Sequence, residues 1–306
     1  MSAIGPAPRG WRDSELWHSF RRSPLAIVAG FLALACVLCA VFAGFVAPHN
    51  PFDLSSLELS DSRLPPAWMS GGQSTYLLGT DDQGRDILSA VIYGTRISMA
   101  VGLASVALSL AIGVTLGLLA GYAGGVVDAF IMRLCDVMLS FPSILLALMF
   151  DGVGLALFPG AGESLAFAVL ILAIGLTGWV QYARTVRGAT MVERHKEYVQ
   201  AARVIGVAPW RIAFSHVLPN ALGPVLVLAT IQVASAIITE ATLSFLGVGV
   251  PPTSPSLGTL IRIGNDFLFS GEWWIAIFPG LMLMIIALSV NLLGDWLRDV
   301  LNPRLR

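Results

Sequence analysis

Side chains able to do covalent chemistry are few in this sequence and stand apart from one another. The four histidines, His18, His49, His195 and His216, form neither an H-E-x-x-H pair nor an evident nucleophile–base–acid triad. Glu193 and His195 share one polar segment, but two groups at that spacing define no hydrolytic site. Cys36 and Cys39 have C-x-x-C spacing, yet they lie in an apolar run with neither a β-strand pattern nor further zinc ligands nearby. The spacing then only sets two small side chains on one helix face, and Cys135 is likewise inside an apolar stretch. The string nearest to a phosphate-binding loop, GTDDQGRD from Gly79 to Asp86, lacks the Lys and the hydroxyl that G-x-x-x-x-G-K-[ST] supplies to phosphate and Mg²⁺. An enzyme is disfavoured and no resident cofactor or metal is expected. Energy for any uphill work must come from another chain or from an ion gradient.

One carboxylate stands out. Glu240 lies deep in an apolar run, where a charge near mid-bilayer costs about 2.5–3.5 kcal/mol on insertion scales unless it finds a partner or water. It is expected to face the bundle, either lining a pathway or acting as a hydrogen-bonded clasp. As a proton relay it would instead serve an ion-coupled secondary transporter. Arg133 and Asp136, three residues apart, are expected to pair on one helix face. Asp128 and Asp295 are expected near the cytoplasmic surface, where solvation is cheap.

The elements that must hold these residues are membrane helices. Of 306 residues, 56% are hydrophobic and 12% charged, against about a quarter charged in soluble domains. The net charge of −1 gives no field that argues for nucleic acid as a partner. After Arg9, Arg12, Arg21 and Arg22 comes an apolar run at 25–47, longer than the roughly 7–15 residues of a signal-peptide core and long enough to span about 30 Å. It is expected to be a retained first helix. Five further runs follow, at about 97–121, 130–150, 165–183, 222–246 and 274–297. Each is predicted to be a helix, because a lipid-exposed chain must satisfy its own backbone hydrogen bonds, and the runs are too long for barrel strands of about ten residues. Pro142, Pro224 and Pro279, with many glycines, can kink helices and let them pack closely. The expected fold is an all-α integral membrane protein with six transmembrane helices: a tail at 1–24, the first helix at 25–47, an extracytoplasmic segment at 48–95 and a core at 96–306.

Orientation follows from basic residues near the helix ends. The N-terminal tail has four arginines, the C-terminus has Arg298, Arg304 and Arg306, and the segment between the fourth and fifth runs has Arg184, Arg187, Arg194, Lys196, Arg203 and Arg211. Segment 48–95 holds only Arg63 and Arg85 among Asp53, Glu58, Asp61, Asp81, Asp82 and Asp86, and segments 151–164 and 249–261 hold no Lys or Arg. Six spans with both termini inside satisfy every bias. The Pro-, Ser-, Asp- and Gly-rich 48–95 segment is then expected outside as an irregular surface loop with short elements of its own, either simply solvated or serving in binding.

The inner segment between the fourth and fifth runs is the most specific part of the chain. It reads EYVQAARVIGVAPWRIAFSHVLPN over 197–220. Glu197, Gln200, Ala201, Ala202 and Arg203 are predicted on a short helix, with Gly206 permitting a sharp turn. Pro209 suits the first position of a second helix, on which Trp210, Ala213, Phe214 and Val217 would make one apolar face beside Arg211, and Pro219 would end it. Such a helix–turn–helix either seats in a groove of another protein, its small residues admitting a partner's backbone and Trp210 anchoring it, or lies amphipathically on lipid headgroups.

At these residues the chain resembles the permease subunits of bacterial ABC importers. Their cytoplasmic EAA loop has E-A-A, three residues, Gly, nine residues and I-x-L-P, and Gln200-Ala201-Ala202, Gly206 and His216-Val217-Leu218-Pro219 keep that spacing. Gln200 replaces the usual Glu, leaving Glu197 as the nearby charge, and His216 stands where an aliphatic residue is common. LLGTDDQGRDILSAVIYGTRIS at 77–98, GYAGGVVD at 121–128, FPSILLAL at 141–148, EATLSFLGVGVPP at 240–252, FPG at 278–280 and NLLGDWLRDVLNPRLR at 291–306 narrow the resemblance to the C-type subunit of the dipeptide, oligopeptide and nickel permease family. The resemblance implies a type I importer permease in the bacterial inner membrane. It implies pairing with a homologous B-type permease, two cytoplasmic ATPases that bind ATP and Mg²⁺ and receive the EAA loops at 197–219, and an extracytoplasmic solute-binding protein. The cargo it implies is peptide, with nickel or another small solute as the alternative.

Overall fold

The computed structural model describes residues 15–53, 59–158, 162–251 and 253–301. Arg9, Arg12, Glu58, Pro252, Arg304 and Arg306, which entered the arguments above, lie outside them. Among the described residues every regular element is a helix, and the one β contact is an isolated bridge between Thr80 and Asp86. Five helices are long and apolar enough to cross a membrane, and a sixth crossing arises if a sharply bent pair counts as one span.

The first crossing is short and cleanly capped. Helix α1, Glu15–Arg22, precedes α2, Pro24–Val41, where the Ser23 hydroxyl accepts from the Ala26 amide and Pro24 takes a first-turn position. A single turn, α3 at Ala43–Val46, follows. Helix α4, Ile87–Ala123, runs for 37 residues and begins well before the predicted 97. Its polar first turns are buried rather than solvated, and the Asp86 carboxylate accepts from both the amide (3.0 Å) and the hydroxyl (2.6 Å) of Ser89. Gly124, at φ +70°, stops it, a conformation that would strain a residue with a side chain.

The third predicted run is not one helix. It divides into α5, Gly125–Leu139, and α6, Ser143–Leu157, with a 94° bend between them. Pro142 explains the break: it has no amide hydrogen and drives Phe141 out of helical geometry. The fourth run extends beyond 183, since α7 covers Glu163–Glu193. Hydropathy hides this extension because its arginines are paired. Arg184 bonds Asp136 at 2.6 Å, Arg187 grips Asp128 through both Nε and a terminal nitrogen, and Arg194 donates to the Gly121 carbonyl at 2.8 Å. Asp136 therefore meets Arg184 across helices rather than Arg133 on its own helix, and Asp128 is ion-paired rather than merely solvated.

After α8, Glu197–Val204, and the short α9, Pro209–Arg211, the chain does not stop at Pro219 as predicted. A π-helical stretch at Ile212–Val217 runs straight into α10, Leu218–Phe245. The Leu218 amide reaches back five residues to the Ala213 carbonyl, so the ladder is re-registered just where Pro219 has no amide hydrogen to give. Beside this junction the Asn220 side-chain amide donates to the His216 carbonyl at 2.7 Å. Helices α11, Leu257–Phe267, and α12, Trp274–Leu301, complete the chain.

Close packing of α4 on α7 organises the bundle. A Cβ added at Gly113 would sit 2.5 Å from the Trp179 carbonyl oxygen, one at Gly117 2.4 Å from that of Ala183, and one at Gly121 2.7 Å from the Thr190 Cβ. The four-residue spacing puts these glycines on one face, where two backbones touch. Cys36 and Cys135 are buried as free thiols in two separate apolar clusters.

Candidate functional site

Residues 193–217 form a compact projection with a buried inside and an apolar tip. Val199 and Ala202 of α8 pack with Ile212, Ala213 and Val217 of the facing segment, all five buried. The turn between them closes on Gly206, at φ +78°, whose amide donates to Arg203 while the Val207 amide reaches Ala202. No atom lies within 4 Å of a Cβ placed on Gly206, so that turn faces open space. Beside it stand Val204, Ile205 and Trp210, exposed by 87%, 78% and 65%.

Two expectations about this element need correction. Trp210, Ala213, Phe214 and Val217 do not share one face: Ala213 and Val217 turn inward, whereas Trp210 and Phe214 turn outward. The π-helical turn rotates the residues that follow it and so breaks the 3.6-residue pattern. Nor do the small residues present a common surface, because Ala202 is inside while Ala201 and Gly206 are outside.

Polar groups lock the base of the projection. Glu193 accepts from the Tyr198 hydroxyl at 2.7 Å and pairs with Lys196 at 2.6 Å, and the Gln200 amide reaches the Arg194 carbonyl at 3.4 Å. Burial, then the hydrogen bond to Glu193, pushes the Tyr198 phenol above its usual range. Arg203 lies over the Tyr122 ring and Arg211 over Trp210, each with its guanidinium carbon 5.8 Å from the ring centre. Glu197 is exposed on the first turn of α8, and Pro219 lies inside a continuous helix.

At the other end of the bundle the 59–86 segment is irregular, with one short 3-10 turn at Leu59–Asp61, and buried polar contacts tie it down. Asp81 is fully buried; one carboxyl oxygen accepts from the Gln83 and Arg85 amides, and the other meets the Arg85 Nε at 2.6 Å. Trp274 at the start of α12 donates to the Thr80 carbonyl at 3.1 Å. Burial and the neighbouring Asp81 carboxylate push the Asp82 carboxyl up, with Arg85 and Arg63 pulling part of the way back. The acidic composition suggested solvation because sequence alone cannot show that Arg85 folds back onto Asp81.

Midway along the bundle, α4, α7 and α10 enclose a cavity of about 360 Å³, capped by the α5–α6 bend at Met138–Leu146. Ser105, Ser109, Gln181, Tyr182, Gln232 and Thr239 supply its polar wall. Glu240 is adjacent in sequence to this wall but not part of it. Its side chain is wholly buried in the seam with α4 and α11, where the Ser244 hydroxyl donates to Oε1 at 2.8 Å and Ser98 and Ser256 face the same carboxyl. Sequence reasoning passed over Asp151 of α6, which is also wholly buried and whose two carboxyl oxygens have no partner among the described residues. No cluster among the described residues could hold a metal ion.

Residues 113–306, which contain the projection and most of the cavity wall, match the family described as the binding-protein-dependent transport system inner membrane component. The chain belongs to this family. Residues 11–66 of the permease also match the N-terminal transmembrane domain of oligopeptide transport permease C. It is 40% identical over 306 residues to the di/tripeptide transport system permease protein DppC of Pseudomonas aeruginosa, covering 100% of this chain and 95% of that one. It is 43% identical over 293 residues to the dipeptide transport system permease protein DppC of Escherichia coli, covering 95% and 93%. The glutathione transport system permease protein GsiD of Pectobacterium atrosepticum is 38% identical over 300 residues, with 97% and 92% covered. Among solved structures, an inward-facing form of the MetNI methionine ABC transporter contains a chain matched with TM-score 0.54 and 21% identity, covering 70% of this chain and 97% of that one. The permease therefore has the helical fold of an ABC importer membrane subunit.

Proposed function

We propose that this permease forms part of the path by which peptides cross the bacterial inner membrane, in partnership with a homologous B-type permease. Two ATPases carry the ATP and Mg²⁺ and bind the 197–219 projection in the cytoplasm, an extracytoplasmic binding protein delivers the cargo, and both termini lie inside. The observation that carries this reading is the exposed apolar tip, Val204, Ile205 and Trp210, held on a base locked by Tyr198 and Glu193. Large apolar side chains on a firm support suit a protein groove: their burial yields binding free energy with little ordering left to do. The peptide cargo is supported by the names of the full-length relatives. A proton-coupled carrier is less well supported, because Glu240 is engaged with serine hydroxyls away from the cavity.

Site-directed crosslinking in the complete importer tests the docking. Cysteine at Ala201 or Val207 is expected to join an ATPase subunit, and to resist a membrane-impermeant thiol reagent applied from outside. Labelling from the outer face, or crosslinks to lipid alone, would overturn the assignment.

A further inference from the structure

The elbow between α4 and α5, residues 121–128, is held by three arginines from the segment that leads into the projection and forms it. Arg187 grips Asp128, Arg194 donates to the Gly121 carbonyl at 2.8 Å, and Arg203 of α8 sets its guanidinium carbon 5.8 Å from the centre of the Tyr122 ring. Two of these contacts fall on the last turn of α4, where the final carbonyls lack intrahelical donors and the helix dipole favours positive charge. Arg194 meets the first demand directly. Tyr122 does more than receive a cation, because it also packs, half-buried, against the apolar cluster that holds Val199 and Ala202 of α8. Arg203 is the neighbour of the exposed tip residue Val204, yet its charge is turned to this chain's own α4.

Helix α4 is better built than α10 to carry a displacement. It runs for 37 residues as one α-helix without proline, whereas α10 contains Pro224 and is entered through the π-helical turn. Tyr122 at its inner end lies about 25 Å along the helix from Ser105 of the cavity wall, at 1.5 Å per residue. We propose that Arg203 is a positioning residue which, through the Tyr122 ring, passes movement of the projection into α4. This rests on docking of the projection to an ATPase, argued above, and goes beyond it by assigning Arg203 to an inner contact rather than to the docking surface. Displacement of α8 is then shared between two helices of the cavity wall, α4 through Tyr122 and α10 through the chain itself. The attraction of a cation acts over the face of a ring and not at one bonding angle, as a bidentate carboxylate pair would, so the contact persists while α8 tilts.

The test is uptake of labelled Ala-Ala per ATP hydrolysed by the complete importer and its binding protein in proteoliposomes, with assembly checked by gel filtration. Tyr122→Leu keeps apolar bulk and removes the ring; the ATPases are expected to co-purify as in the wild type, and uptake per ATP to fall about twofold to fivefold, the equivalent of one exposed cation–π contact. Tyr122→Phe keeps the ring face and is expected to restore the wild-type ratio. Arg203 is exposed, so Arg203→Gln gives the same reading should the leucine pack badly, and the double variant is expected to be no worse than either single one. A merely structural role would lower the amount assembled and leave the ratio unchanged. An unchanged ratio in both single variants, a phenylalanine variant as impaired as the leucine one, losses that multiply in the double variant, or release of the ATPases by Arg203→Gln would overturn the inference while leaving the docking reading intact. Crosslinks from Ala201 and Val207 to lipid alone would remove the docking reading itself, and this inference with it.

Discussion

Arg187 holds Asp128 at two points, through Nε and through a terminal nitrogen at 2.6 Å, and so ties the last turns of α7 to the first turn of α5. Both side chains retain some solvent contact, at 30% and 19% exposure, which moderates the strength of the pair. A double-mutant cycle with Asp128→Asn and Arg187→Gln is expected to give a coupling of about 1 kcal/mol in the thermal or denaturant unfolding of the purified complex. Strict additivity of the two substitutions would show that the clasp is idle.

The glycine face of α4 predicts a steep size dependence. At Gly117 a Cβ would meet the Ala183 carbonyl oxygen at 2.4 Å, and backbone cannot swing aside as a side chain can. Gly117→Ala should cost about 1–3 kcal/mol, and Gly117→Val should prevent accumulation of folded protein. Gly223, whose Cβ would meet nothing within 4 Å, should accept alanine readily. Comparable yields of all three variants would contradict the packing.

Gly206 makes the opposite prediction for size. Its surroundings are open, so Gly206→Arg should leave membrane insertion intact and impair only the φ +78° turn and whatever covers it. Uptake is expected to be abolished and ATPase co-purification lost. Normal uptake would count against a coupling role for the projection.

Asp82 gives a pH dependence whose sign can be stated. Its carboxyl is raised above the ordinary 3.8 by burial first and by Asp81 second. The folded state therefore favours the protonated form: this contribution is fully present below 3.8 and is lost as pH rises through the folded value. Asp82→Asn should stabilise the protein at pH 7, by about 2 °C in Tm, and the difference should vanish as pH falls towards 4. A gain that persists at pH 4 would point to some other cause.

For Glu240 the seam with α4 and α11 predicts tolerance of shape and intolerance of loss. Glu240→Gln keeps an acceptor for Ser244 and should transport near normally. Glu240→Ala leaves serine hydroxyls unpaired beside a void and should destabilise by about 2–4 kcal/mol, read as reduced assembly. Loss of uptake in a fully assembled Glu240→Gln protein would instead implicate the ionised carboxylate in transport.

What could be read in advance divides along physical lines. The apolar runs announced the crossings because lipid imposes one simple demand on them, and Gly206 and Pro209 announced the turn because backbone freedom and a missing amide act locally. Less visible were features fixed by partners remote in sequence. The α7 extension depends on Asp128 and Asp136 neutralising arginines that hydropathy counts as stops. The buried contacts of the 59–86 segment depend on Trp274, and burial of Ala202 depends on the segment after Pro209. The bend at Pro142 was masked because the residues on either side of it are apolar enough for one span. The cavity left no linear trace at all, since its polar residues come from four helices and none of them is charged.

The fusion of α9, the π-helical stretch and α10 has a mechanical corollary. Trp210 at the tip and Gln232 on the cavity wall belong to one unbroken rod, separated by roughly 30 Å at 1.5 Å per residue. A push delivered at the tip cannot be absorbed by a slack joint before it reaches the wall. The compliant places are the re-registered turn at 212–217, whose hydrogen bonds can slide by a residue, and Pro224, which withholds an amide from the ladder, so the stiffness of these two points sets how faithfully motion at one end arrives at the other.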